Sequence, residues 1–172
     1  MAENPCLVWI RRDFRLADNP ALAEAANRGG PVIPVFIHDA PGPESPSAWT
    51  DGAAAGWWLR RGLVAFQRGL EGIGGGLVQR TGDPATVLLA LARETGADTV
   101  LWNNRHAPTQ RAMDDGVAET LGTAGLRVRR CQDGLLFDPA LVRTQAGQPH
   151  QIFASFWKAC LNRDEQAFPL PA

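Results

Sequence analysis

Five short apolar runs along this chain are each separated from the next by a segment that reads as a helix. The runs are Cys6–Ile10, Pro31–Asp39, Leu77–Arg80, Thr99–Asn103 and the stretch "LRVRRC". All are bounded by turn residues and most are rich in Val, Ile, Phe or Trp, as half-buried or buried strands require. Between the first two lies "DNPALAEAANRGG". There Asn19 is a good N-cap, Pro20 fits the first helical position, and Gly29-Gly30 ends the helix. Asp83-Pro84 repeats the same start. Leu59, Leu63, Phe66 and Leu70 mark one helical face, and Val87, Leu88, Leu91 and Ala92 mark another. Met113, Val117 and Leu121 mark a third, in a helix starting near Thr109.

Strand–helix–strand repeats of this length force right-handed crossovers and a parallel sheet. The expected fold is therefore α/β: a three-layer, doubly wound, five-stranded parallel sheet with strand order 3-2-1-4-5. Its winding reverses beside the first strand. After Asp133 the rhythm changes and only short elements remain. The last is a helix-like piece, Ala154–Leu161, whose Trp157 and Leu161 are expected to pack on the domain. Residues 1–161 read as one domain and 162–172, charged and then Pro-rich, as the loose start of a linker.

The 172 residues suit one domain, and 45% hydrophobic content is enough for a packed core. A net charge of -1 excludes a nucleic-acid partner held by overall charge, so any DNA contact needs a local basic patch or another domain. Cys6, Cys131 and Cys160 are odd in number and show no C-x-x-C spacing, which argues against a disulfide framework or a metal site. No signal peptide or long apolar span is visible. The setting expected is soluble, reducing and cytoplasmic, without a membrane partner.

Ligands of an open parallel sheet lie outside the carboxyl ends of its strands. The segments that reach that edge are "RRDFR", "HDAPG", "TGDP" and "NNRHAP". No G-x-G-x-x-G or P-loop follows the first strand. A G-x-S-x-G elbow, an H-E-x-x-H helix and an obvious acid pair are also missing, so no catalytic residue is assigned.

"VWIRRDFRLADNPAL" closely resembles the opening of the DNA photolyase/cryptochrome family. "PVIPVFIHD" is similar to that family's second strand, "AAAGWWLRRGL" to its Trp-containing second helix and "TGDP" to its G-D-P turn. "VLWNNRHAP" resembles its W-N-R stretch, and "GLLFDP" with "GQPHQIFASFWKACL" the end of its antenna domain. The resemblance covers nearly the whole chain in the correct order. It implies an N-terminal α/β domain that binds a light-harvesting chromophore. It also implies a C-terminal helical domain, absent from this sequence, that would hold FAD and damaged DNA and split pyrimidine dimers with blue light. The 172 residues alone are then expected to be inactive.

On this reading the chromophore contacts are Arg12, Phe36, His38, Asn103 and Arg105, which end strands one, two and four or directly follow them. Arg15 and Asp18 form a structural loop beneath them. Trp57 and Trp58 serve core packing, a domain interface or a chromophore wall, while Trp9 and Trp102 belong to the core. The family's folate and deazaflavin sites commonly carry acidic residues after strand four, where this chain has Arg105 and Ala107. An arginine often found before the second-helix aromatics is Gly56, and a late tyrosine is His150. A basic crevice favours FMN, or an empty site, over folate or deazaflavin. The alternatives are a cryptochrome blue-light receptor domain and a stand-alone nucleotide- or flavin-binding module.

Overall fold

The computed structural model describes residues 3–38, 52–135, 137 and 141–162. Among them are five strands: β1 (Cys6–Ile10), β2 (Val32–His38), β3 (Val78–Thr81), β4 (Thr99–Asn103) and β5 (Arg127–Cys131). They form one sheet in the order β3-β2-β1-β4-β5, and all four pairings are parallel. The expected winding is therefore present, with its reversal beside β1. The helices are α1 (Pro20–Asn27), α2 (Ala53–Gly72), α3 (Pro84–Thr95), α4 (Pro108–Thr123) and α5 (Phe153–Leu161).

Alternation along the central strands splits the core into two layers. Leu7 and Trp9 of β1 face Leu88, Leu91, Val117 and Leu121 of α3 and α4. Cys6, Val8 and Ile10 face Ala21, Ala25, Phe66 and Leu70 of α1 and α2. Every residue of β1 and β4 is buried, as expected for strands covered on both faces. Both cap-plus-proline starts form as read: Asn19 accepts from the Leu22 amide at 3.3 Å and Asp83 from the Thr86 amide at 2.8 Å.

Two expectations need correction. The buried stripe of α4 is Asp114, Val117 and Leu121, with a carboxylate in place of Met113. On α5 the buried residue is Cys160, whereas Trp157 and Leu161 are 41% and 64% exposed. The apolar stripe of α5 thus points away from the domain, and Phe153 stacks on Trp157 at 6.3 Å. The segment expected to be a loose linker and the loop "DAPG" after β2 lie outside the described residues, apart from Asn162.

Candidate functional site: the carboxyl edge of the sheet

β1 delivers Arg11, not Arg12, into the interior. Continuing the alternation Leu7, Trp9, Arg11 places this guanidinium on the α3–α4 side of the sheet. It is 9% exposed. Its Nη1 donates to Asp114 Oδ1 at 3.3 Å and its Nη2 to the Asn103 carbonyl. Its guanidinium carbon lies 4.6 Å from the centre of the Trp9 ring and 6.0 Å from that of Trp102. Arg105, just after β4, grips the same carboxylate, Nη2 to Oδ1 at 2.5 Å and Nε to Oδ2 at 3.3 Å. Asp114 is therefore buried between two arginines, as a buried carboxylate must be. Burial pulls Arg11 down to about 10, against the pull of Asp114 and with a further push from Arg105. Arg11 Nε and Trp102 Nε1 are buried without a partner.

The turn after β1 is a closed hydrogen-bond net around Asn103. Its Nδ2 donates to Asp13 Oδ2 at 2.6 Å and to Asn19 Oδ1 at 2.8 Å, and its Oδ1 accepts from the Ala21 amide at 2.9 Å. Asp13 Oδ1 accepts from the Arg11 amide at 2.9 Å, and Asn19 Nδ2 donates to the Arg15 carbonyl at 3.1 Å. The Nε of Arg15 donates to the Asp18 carbonyl at 2.9 Å, and its Nη2 pairs with Asp133. Asp18 holds φ +52°, a left-handed conformation that Asp and Asn tolerate better than most residues. The charges crowded after the first strand thus tie β1, β4, α1 and α4 into one unit.

On the β2 side the edge is aromatic. Phe36 is buried, 5.7 Å from Phe14 and edge-on to His38 at 4.8 Å. His38 Nε2 shares a hydrogen bond with Gln79 Oε1 at 3.0 Å. Phe14 also meets Phe66 at 6.0 Å, and a Cβ at Gly62 would lie 2.9 Å from its ring, so glycine admits Phe14 against α2. One to two turns earlier on α2, Trp57 and Trp58 pack edge-to-face at 5.2 Å while remaining 53% and 70% exposed. Arg61 lies 5.2 Å from the Trp57 ring centre.

On the β4–β5 side the edge is basic. A crevice of about 550 Å³ is lined by Asn104, Arg105, His106, Arg111, Asp114, Arg130, Gln132, Leu135, Arg143 and Pro149. That volume lies within the range of small-molecule sites, about 300–1,000 Å³. Arg130 is held there by Asp115 at 2.6 Å and by the Asp114 carbonyl at 2.9 Å.

Of the five expected contact residues, Arg105 alone lines the basic crevice described above. Phe36 and His38 touch each other; Arg12 is exposed at the end of β1; Asn103 has its amide engaged in the net; Arg105 lines the basic crevice. Sequence reading did not place Arg11 in the interior, and it overlooked Asp114. Parity from Trp9 marks the first, and a carboxylate three and seven residues before the apolar Val117 and Leu121 marks the second.

Residues 6–172 match the family model described as DNA photolyase. The deoxyribodipyrimidine photo-lyase of Agrobacterium fabrum is 42% identical over 165 residues, covering 96% of this chain and 33% of that protein. Cryptochrome-1 of Arabidopsis thaliana is 36% identical, over 91% of this chain and 22% of the relative. The crystal structure of a bacterial class III photolyase from Agrobacterium tumefaciens superposes with a TM-score of 0.88 and 41% identity, over 99% of this chain and 34% of the other. This chain spans about a third of the length of the photolyases it matches. With the sheet order, the opening loop and the helices all in place, the chain belongs to the DNA photolyase family and has the α/β fold of its N-terminal domain.

Proposed function

We propose that this domain is the light-harvesting part of a deoxyribodipyrimidine photo-lyase-type flavoprotein. The intact protein would use blue light and FAD to repair pyrimidine dimers in DNA. The observation that carries the reading is the match in fold and sequence to a class III photolyase over 99% of the chain. The carboxyl edge supports it. A flat, anionic chromophore would rest there against Phe36 and His38, with Arg12 beside it, Asn103 shaping the turn beneath and Arg105 bounding it on the β4 side. FMN suits these cations better than a deazaflavin or a reduced folate does.

FAD would sit in a C-terminal domain outside this sequence. That domain is the proposed partner, and the outward stripe of Phe153, Trp157 and Leu161 on α5 offers it an apolar seat. Among the described residues no helix is long and apolar enough to cross a membrane. A cytoplasmic location is part of the same proposal.

Illuminating the intact protein with dimer-containing DNA tests the reading. Repair under blue light, with this domain alone inert, is the expected result. Flavin photoreduction without repair would instead assign the protein to the cryptochrome receptors.

A further inference from the structure

The chain as a whole carries a net charge of -1. The crevice between β4, β5 and α4 is lined by four arginines (Arg105, Arg111, Arg130 and Arg143) and one carboxylate, Asp114. Asp114 does not offset the rest of the crevice, because Arg11 and Arg105 already hold it. Arg130 is held by Asp115. Arg111 is different: its guanidinium is exposed and has no side-chain partner among the described residues.

Clustered cations repel one another unless an anion joins them. Arg111 stands in the first turn of α4, where helical side chains lean back toward the N-terminus. Ala107 at the N-cap offers no side-chain acceptor to the first amides of that helix. The concavity, with Leu135 and Pro149 among its walls, favours a small ligand over a polymer backbone, which needs an open track.

From this we infer that the crevice is a second ligand site, for a small phosphate ester of about mononucleotide size, and that Arg111 recognises its phosphate. Arg105, fixed on Asp114, bounds the site as a positioned cation. The site stands on the arginines and not on the light-harvesting reading.

Calorimetric titration of the whole chain with AMP, adenosine and inorganic pyrophosphate tests it, since AMP and adenosine differ only in the phosphate. AMP should bind at least about tenfold tighter than adenosine, the value of one charge-assisted hydrogen bond. Pyrophosphate should compete with it. Arg111→Ala should bring AMP to the level of adenosine without lowering the thermal midpoint, whereas Arg68→Ala on α2 should change nothing. Equal binding of AMP and adenosine would overturn the inference. So would a preference for AMP that survives Arg111→Ala, or the failure of both AMP and pyrophosphate to bind at millimolar concentration. Arg111-dependent binding of a single-stranded oligonucleotide, with AMP ignored, would also overturn it in favour of a nucleic-acid contact. Phosphate binding as described, in a domain that takes no chromophore, would break the light-harvesting reading alone.

Discussion

The two halves of the sheet's carboxyl edge use one backbone plan for opposite chemistry. On the β2 side, Phe14, Phe36 and His38 make an aromatic wall, and α2 carries the exposed pair Trp57 and Trp58. On the β4–β5 side, arginines line a crevice, and Arg11 and Arg105 share the buried carboxylate of Asp114. The boundary between them is β1, where the last strand residue and the one that follows it send side chains to alternate layers. Ile10 goes to the α1–α2 layer, and Arg11 to the layer that holds Asp114.

The largest test of this contrast is Asp114→Ala. It leaves the buried Arg11 and the adjoining Arg105 without their shared counter-charge, and removing one partner of a buried pair costs about 3–5 kcal/mol. Urea unfolding should show a loss of that size. A loss below about 1 kcal/mol would mean that Arg11 escapes to water.

Next in size is Asn103→Ala, which removes three bonds that close the turn after β1. Each buried group left unsatisfied costs about 1–3 kcal/mol. The same unfolding experiment should report a loss of about 3 kcal/mol, accompanied by faster hydrogen exchange at the Ala21 amide. Unchanged exchange there would separate Asn103 from the turn.

At the opposite, amino end of the strands, Asp98 gives a smaller effect that depends on pH. The Thr99 hydroxyl is the chief donor that holds it at about 2, with Asn4 and Arg127 assisting and burial opposing. A depressed carboxylate contributes stability above its unfolded value, near 4, and loses it as pH falls toward 2. Acid titration of stability should therefore show a slope between those values that Asp98→Asn removes. A slope identical in the variant would contradict the assignment.

The smallest expected effects belong to Trp57→Ala and Trp58→Ala, because both rings are already more than half exposed. Each should change stability by no more than about 0.5 kcal/mol. Phe66→Ala, in the core of the same helix, should cost about 3–5 kcal/mol. A large loss at either tryptophan would show that it supports the fold and is not kept for an external surface.

The sheet was legible in the sequence because its order depends on local signals: β-rich runs, caps with proline and crossover lengths. Boundaries moved by a residue or so, with β3 at Val78–Thr81 and α4 starting at Pro108. The site was legible only in part. Strand ends locate the edge, but the direction of each side chain depends on parity and on partners far along the chain. Arg11 meets Asp114 across 103 positions and Arg15 meets Asp133 across 118, and no local pattern announces such pairs. The orientation of α5 was illegible for another reason. Its two faces carry Cys160 and the Phe153–Trp157–Leu161 stripe, and hydrophobicity alone favours burying the larger stripe.

The proposal that this edge harvests light is tested most directly by titrating the domain with FMN, a deazaflavin and a reduced folate while following absorbance and fluorescence. Saturable binding of FMN in preference to the other two is predicted, retained in Arg111→Ala and weakened about tenfold or more when Arg12→Ala and Arg105→Ala are combined. A preference for folate would refute the charge argument. Binding of none of the three, or binding indifferent to the two substitutions, would contradict the placement of a chromophore at this edge.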